Sequence, residues 1–250
     1  MTMLDEPSTL TLTRPALLAI SHGTSSPRGQ RAVAGLVSAV AEAGGDLGVA
    51  SGFVDVQQPD VRATLDGVES SRASVVVPLL LSAGYHVHVD LRNALRSATD
   101  RVTSLGRALG PDDRLVTVLV RRLREVGLRS SDRVVLACAG SSDPRAVDDC
   151  SEMGARLSSA LGQPVRVGFI SAAQPRLPDA VAQEKSQARG ARVVVATYLL
   201  APGYFADLAA ATDADLVTRP LLDADEPAAP ELVELVLDRY RDAAPGVTLS

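Results

Sequence analysis

The three histidines of this 250-residue chain are the side chains best suited to chemistry, and their distribution is uneven. His22, His86 and His88 all follow apolar runs in the first half of the sequence, and the second half has no histidine. Asp55 belongs with them, because it ends the apolar run GFVDV with a carboxylate. Neutral imidazole binds divalent ions such as Fe²⁺, Co²⁺ and Ni²⁺, and it accepts protons near neutral pH. A single histidine after a strand is more often structural, but three at one edge favour a site that handles metal and protons.

Short apolar runs, each followed by an amphipathic segment, must position these side chains. The runs cover residues 16–21, 52–56, 74–81 and 115–120 in the first half, and 133–139, 165–171, 191–200 and 214–222 in the second. Such runs are typical of strands buried on both faces, and their alternation with helical patterns indicates parallel sheets. A last helix is predicted around residues 229–243, where it can pack back on the first half.

Three sequence blocks occur twice at a nearly constant offset. HGTSSPR at 22–28 matches AGSSDPR at 139–145, GFVDVQQP at 52–59 matches GFISAAQP at 168–175, and PLLLSAGYH at 78–86 matches TYLLAPGYF at 197–205. Colinear repeats of this kind indicate a duplicated structure. We therefore predict an α/β protein with two similar domains, residues 1–130 and 131–250. Each is a parallel β-sheet flanked by helices, and the active-site cleft lies between them at the carboxyl ends of the strands.

The two copies differ in the residues that could bind metal. His22, Asp55 and His86 are replaced in the second half by Ala139, Ser171 and Phe205. The residues that shape the backbone are retained, as in the pairs Gly23 and Gly140 or Tyr85 and Tyr204. The first half is therefore predicted to carry the metal site, and the second half to supply the other wall of the cleft.

Three of these segments resemble a known family. HGT after the first strand, FVDVQQP after the second and PLLLSAGYHVHVDL after the third are similar to the small sirohydrochlorin chelatases that insert cobalt or iron and are related to protoporphyrin ferrochelatase. The resemblance spans most of the chain and carries the family's two metal-site histidines onto His22 and His86, whereas His88 matches no family histidine. Asp55 stands where the family more often has glutamate, and Arg92 stands where proline is usual. Neither departure removes a ligand.

The resemblance implies an ATP-independent lyase that inserts Fe²⁺ or Co²⁺ into sirohydrochlorin, giving sirohaem or a cobalt-precorrin precursor. The metal, with Ni²⁺ as a further candidate, is then a substrate, and no tightly bound cofactor is expected. His22 and His86 would coordinate the ion and remove pyrrole protons in an order that the sequence leaves open, with Asp55 orienting a histidine or taking up protons. Further contacts to the tetrapyrrole are predicted for Gly23, Arg28, Ser82, Gly84, Tyr85, His88, Arg145 and Tyr204.

Composition argues against several other classes of protein. A net charge of -5 disfavours a nucleic-acid partner. No apolar run approaches the ~20 residues of a membrane span. Asp5, Glu6 and Pro15 are unlike a secretory signal, so a cytoplasmic location is predicted. Cys138 and Cys150 are expected to be free, buried thiols. The oligomeric state is not indicated.

Two alternatives are compatible with the same residues. A non-catalytic module could clasp a tetrapyrrole or a metal in the same cleft without turning it over. A histidine phosphatase is disfavoured, because the segment around His22 lacks an arginine beside the nucleophile.

Overall fold

Two parallel four-stranded sheets form the framework of the computed structural model, which describes residues 14–82, 91–93, 95, 102–188 and 190–247. The strands of the first sheet are β1 (Ala16–Ser21), β2 (Val49–Phe53), β3 (Ser74–Pro78) and β4 (Thr103–Leu105), in the order β2-β1-β3-β4. Those of the second are β5 (Arg133–Cys138), β6 (Val165–Phe169), β7 (Val193–Tyr198) and β8 (Leu216–Val217), in the order β6-β5-β7-β8. The same strand order in both sheets confirms the predicted duplicated α/β fold.

The helices follow the strands, as the alternating pattern predicts. They are α1 (Pro27–Gly44), α2 (Val61–Asp66), α3 (Asp113–Glu125), α4 (Pro144–Leu161), α5 (Leu177–Gln187), α6 (Tyr204–Ala210) and α7 (Pro230–Ala243), the last continuing into a 3-10 turn at Ala244–Val247. Helices α1 and α4 start alike, with proline in the first turn after a capping side chain, Ser26 or Asp143. Each cap accepts a hydrogen bond from a backbone N–H of the first turn, so the repeat fixes the same start in both halves.

One of the predicted strands is wrong: residues 115–120 (LVTVLV) belong to helix α3. The six residues of that run by themselves fit a buried strand. The helical spacing of buried positions shows only over the longer segment Asp113–Glu125. The buried positions recur every three or four residues at Leu115, Val116, Val118, Leu119, Arg122 and Leu123. The Asp112 side chain caps the helix by accepting from the Arg114 N–H. The fourth strand of the first sheet is β4 instead. Its three residues are half-buried and do not form an apolar run from which the strand could be predicted.

Strand β2 ends earlier than predicted, at Phe53 rather than residue 56. Asp55 therefore lies beyond the strand, in a turn closed by the Phe53 N–H, which donates to the Pro59 carbonyl (3.0 Å). The second half has the same turn, with the Phe169 N–H donating to the Pro175 carbonyl (2.9 Å). The repeat thus extends to the loops that carry the candidate site.

One apolar cluster between the two sheets belongs to both halves. Leu36 of α1, Leu119 of α3, Met153 of α4 and Leu235 of α7 are all fully buried in it. Smaller clusters cover the outer face of each sheet. A shared core fixes the positions of the two sheets relative to each other, and therefore the width of the cleft between them.

Helix α7 packs back on the first half, as predicted. It contacts α1 and β3. The Tyr240 hydroxyl donates to the Pro15 carbonyl (2.8 Å), and the buried Arg239 guanidinium donates to the carbonyls of Ala108 (2.9 Å) and Leu109 (2.8 Å). None of the described helices combines the length and the apolar character needed to cross a bilayer.

The Asp132 carboxylate fixes the segment that connects the two halves by hydrogen bonds, and its ionisation makes the free energy of unfolding dependent on pH. This buried carboxylate accepts hydrogen bonds from the Arg129 N–H (2.7 Å) and the Arg192 guanidinium (2.6 Å). The bond from Arg192 holds the pKa of Asp132 below its ordinary value of 3.8. The stabilisation is therefore present above that value and is lost as pH falls through the lowered pKa. The predicted domain boundary at residue 130 lies beside Asp132 and stays a prediction.

We expect Asp132→Asn to lower the free energy of unfolding at neutral pH by about 1–3 kcal/mol, because the bonds to a charged acceptor are weakened. Urea unfolding at about pH 7 and about pH 3 checks this, and the difference from the wild type should shrink at the acidic pH. The matched control is Asp46→Asn at an exposed carboxylate, which should change little at either pH. Equal destabilisation by Asp132→Asn at both values would contradict the role of the carboxylate charge.

Candidate active site

A cleft of about 580 Å³ opens between the two halves at the carboxyl ends of their strands. Its lining is made of residues 21–25, 56–57, 79–82, 139–141 and 198–206, together with Val33 and Cys150. These are the segments that follow β1, β2 and β3 in one half and β5 and β7 in the other. Open parallel sheets bind ligands at this edge, so the predicted cleft is present where the repeat placed it.

Four residues predicted to contact substrate or metal line the cleft together: His22, Gly23, Ser82 and Tyr204. His22 follows β1 directly, and its side chain is exposed. Its carbonyl accepts a hydrogen bond from the Asp55 N–H (3.0 Å), so the loop after β1 is bonded to the chain after β2. The imidazole is therefore accessible at the surface of the cleft, on a backbone that is tied down.

Gly23 is required by the close approach of these two loops. Its φ is +94°, and a Cβ built there would lie 2.1 Å from the Asp55 carbonyl oxygen. Gly140 repeats this geometry, with φ of +91° and a Cβ position 1.9 Å from the Ser171 carbonyl oxygen. Any side chain would push the loops apart. The glycine thus sets the position of the neighbouring His22.

Asp55 is exposed and lies outside the described lining of the cleft. Its carboxylate accepts a hydrogen bond from the Val56 N–H (2.7 Å) within its own turn. Val56 lines the cleft instead, in a left-handed conformation with φ of +65° that Ala172 repeats in the second half with φ of +53°. A role for Asp55 in orienting a histidine stays a prediction.

Sequence reasoning missed Thr24 and Gln57, which both line the cleft. The Thr24 N–H donates to Gln57 Oε1 (2.9 Å), and the Thr24 carbonyl accepts from Gln30 Nε2 (2.8 Å). Two glutamine side chains thus clamp the loop that follows His22. A signal was present in the repeat, because Gln57 is matched by Ala173, a polar-to-apolar difference like those of the candidate ligands.

The second half contributes a largely apolar wall. Leu199, Leu200, Pro202 and Phe205 line it, and Tyr204 is 71% exposed beside them. The Tyr204 and Phe205 rings lie with their centroids 6.0 Å apart. An apolar wall with exposed aromatic carbon suits a flat, hydrophobic ring system.

The floor of the cleft is neutral and connects the two halves. The Tyr198 hydroxyl donates to the Leu81 carbonyl across the interface (2.9 Å), and burial raises the pKa of this phenol. Cys150 lines the floor next to Cys138, and burial raises the pKa of the Cys138 thiol. Both cysteines are free and buried, which confirms that prediction.

The two arginines predicted to bind substrate lie outside the described lining and have acidic neighbours. The Arg28 guanidinium Nη2 lies 3.8 Å from a carboxylate oxygen of Asp223 and of Asp225. The Arg145 Nη2 lies 3.2 Å from Asp143 Oδ2. Both guanidinium groups are more than half exposed. Among the cleft residues that the structure describes, none is arginine or lysine. Contact between these arginines and a substrate stays a prediction.

The other predicted site residues, His86, His88, Gly84 and Tyr85, lie outside the described residues. Ser82 is the last described residue before them, and it lines the cleft. Within the described ranges, no three His, Cys, Asp or Glu side chains are grouped so as to hold a metal ion. His22 is therefore the candidate metal ligand whose place in the cleft the structure describes.

Comparison with known proteins shows the family to which this chain belongs. The CbiX family model matches residues 16–126 and again residues 133–243, once in each half. The sirohydrochlorin ferrochelatase of Priestia megaterium is 27% identical over 161 residues, which cover 60% of this chain and 60% of that protein. The sirohydrochlorin cobaltochelatase of Sulfurisphaera tokodaii is 32% identical over 84 residues, 33% of this chain and 69% of that protein. The match thus spans less than two thirds of the length of the Priestia relative.

Two solved structures share the fold over nearly their whole length. SirB from Bacillus subtilis with Fe³⁺ superposes with a TM-score of 0.75 at 21% identity, covering 93% of this chain and 96% of that chain. The sirohydrochlorin chelatase SirB from Bacillus subtilis subspecies spizizenii in complex with cobalt gives a TM-score of 0.73 at 19% identity, with the same coverage. At these identities the likeness establishes the fold.

Proposed function

Because this chain belongs to the CbiX family, we propose that it inserts Fe²⁺ or Co²⁺ into sirohydrochlorin and so yields sirohaem or a cobalt-precorrin precursor. One observation carries the proposal: a cleft between two similar sheets has an accessible imidazole, His22, on one side and an apolar wall on the other. The relatives named as a sirohydrochlorin ferrochelatase and a sirohydrochlorin cobaltochelatase support this reaction and both metals.

The reaction replaces two pyrrole protons of the macrocycle with one divalent ion and releases both protons to solvent. His22 can take part in two ways, because a neutral imidazole either accepts a proton or coordinates a borderline metal ion. We assign these tasks to His22 and His86 together, in an order that stays open, and we assign Asp55 either the orientation of a histidine or the uptake of released protons. The exposure of the His22 ring supports this role, since the ion must arrive hydrated from solvent.

The second half contributes by holding the ring system. The Tyr204 and Phe205 side chains and the leucines beside them can pack on one face of the macrocycle, while the loop bearing His22 approaches the other. Packing on one face and coordination from the other would bend the ring and expose its nitrogens to the metal. The replacement of each candidate ligand in the second half supports this division of labour.

The metal is a substrate in this proposal, and the protein needs no resident cofactor and no ATP. The choice between iron and cobalt then depends on supply, because imidazole accepts both ions and Ni²⁺ as well. We also propose that the reaction takes place in the cytoplasm, in line with the sequence-based prediction.

The test is an anaerobic absorbance assay with purified protein, sirohydrochlorin and Fe²⁺, Co²⁺ or Ni²⁺. We expect at least one of the three ions to enter the macrocycle much faster than in the same mixture without protein. Macrocycle binding without any acceleration would reject the proposal and would indicate the non-catalytic binding module instead.

A further inference from the structure

The described lining of the cleft contains no arginine or lysine, although the proposed substrate carries several carboxylates. An anionic group that leaves water needs hydrogen-bond donors in exchange. One donor on the cleft surface that the structure holds in place is the side-chain amide of Gln57, which lines the cleft at the turn after β2.

The orientation of this amide follows from its partner. The Thr24 N–H is a donor, so it must face the Gln57 oxygen, and the distance is 2.9 Å. The opposite end of the amide, Nε2, has no hydrogen-bond partner among the described residues. On the cleft surface, the Gln57 side chain therefore has its Oε1 acceptor bonded to Thr24 and its Nε2 donor unused.

The anchor is itself rigid. The Gln30 side chain holds the Thr24 carbonyl (2.8 Å), and the Thr24 hydroxyl accepts from the Ser26 N–H (3.1 Å). Helix α1, which follows this loop, is packed against the second half, since a Cβ built at Gly29 would lie 2.3 Å from the Pro202 carbonyl oxygen. A donor fixed in this way loses little freedom on binding, which favours affinity.

We propose that Gln57 is a specificity residue whose Nε2 donates a hydrogen bond to a peripheral carboxylate of the tetrapyrrole. The substrate class rests on the proposed function, but the contact is a separate claim about this side chain. Its twin Ala173 offers no donor, so the interaction exists on the first-half side of the cleft alone. It would hold an acidic arm of the ring beside the loop that carries His22.

The experiment measures the affinity for metal-free sirohydrochlorin by fluorescence titration, without any metal. Gln57→Glu keeps an oxygen for the Thr24 N–H but replaces the free donor with a repelling carboxylate. We expect it to weaken binding about tenfold or more, the effect of losing a hydrogen bond to a charged group. The control is Gln58→Glu, which adds the same charge next door at an exposed side chain outside the lining. This control should bind like the wild type.

A second variant guards against misfolding. Gln57→Ala copies Ala173, whose turn keeps the same backbone hydrogen bond: Gln57 N–H to the Asp55 carbonyl is 2.7 Å, and Ala173 N–H to the Ser171 carbonyl is 2.6 Å. It should also weaken binding, and the loss should shrink for both variants when the peripheral carboxylates are methyl esters. Wild-type affinity in Gln57→Glu, or equal losses in Gln57→Glu and Gln58→Glu, would overturn the proposal. Because the titration contains no metal, its result is valid whether or not the protein inserts metal into the macrocycle.

Discussion

His22→Ala is expected to slow metal insertion by about a hundredfold or more, bringing it near the uncatalysed rate. An imidazole can both coordinate a divalent ion and accept a proton, and His22 is the imidazole whose place in the cleft the structure describes. Alanine does neither. The measurement is the initial rate of absorbance change with sirohydrochlorin and Fe²⁺ or Co²⁺, at saturating concentrations of both substrates.

The control for this variant is the protein's own affinity for the metal-free macrocycle. His22 is exposed, so its removal should leave the melting temperature nearly unchanged and should alter macrocycle binding little. A rate equal to that of the wild type would rule out His22 both as a metal ligand and as a proton acceptor. Weakened binding with an unchanged rate at saturation would assign it to substrate contact instead. His86→Ala is expected to behave like His22→Ala.

Gly140→Ala is expected to give the largest loss of stability, about 3 kcal/mol or more. Its φ is +91°, and the added Cβ would lie 1.9 Å from the Ser171 carbonyl oxygen, which belongs to backbone and cannot rotate away. The loops after β5 and β6 would have to separate. That would strain the hydrogen bond from the Ser171 N–H to the Ala139 carbonyl, now 2.9 Å.

Gly162→Ala is the matched control, because Gly162 also has a positive φ, +65°, but a Cβ there meets nothing within 4 Å. It should cost about 1–2 kcal/mol, the conformational term alone. Urea unfolding of the two variants and the wild type separates this term from the steric one. Equal destabilisation by both substitutions would mean that the contact with Ser171 contributes nothing. Gly140 lines the cleft but lies in the half without candidate metal ligands, so this prediction concerns stability and not metal binding.

The repeat explains why such glycines recur while the ligands do not. Gly23 and Gly140 hold the same conformation because each loop must pass within contact of the next one, a purely geometric need. His22 and Ala139 occupy the next position upstream, where the structure demands no particular side chain. After a duplication, therefore, backbone-shaping residues persist in both copies, whereas one metal site is sufficient for one substrate.

The absence of arginine and lysine from the described lining of the cleft bears on how a substrate with carboxylates would be recognised. Arginines near the rim were natural candidates for a substrate with carboxylates, because a guanidinium group matches a carboxylate well. Arg28 and Arg145 lie beside aspartates of the protein itself, and their contact with a substrate stays a prediction. Recognition by amide and hydroxyl donors is weaker per contact, but it depends more on the geometry of the loops.

Much of this protein can be derived from its sequence because the information is local. Strands buried on both faces need continuous apolar runs, so seven of the eight strands in the described ranges fall within or overlap the predicted runs. The duplicated blocks and the histidines of the first half follow from direct comparison of residues, and the family membership agrees with the motifs. The run at 115–120 was misjudged because a helix and a strand that are both buried have similar composition over six residues.

What tertiary structure alone decided are the contacts between segments far apart in the chain. The bond from Thr24 to Gln57, the contact of Tyr198 with Leu81, and the acidic neighbours of Arg28 depend on how two sheets meet around a shared core. A sequence pattern records which faces are apolar, but not which polar groups approach each other when those faces are buried. The sequence therefore determined the fold and the candidate ligand, and the packing of the halves decided which side chains surround it.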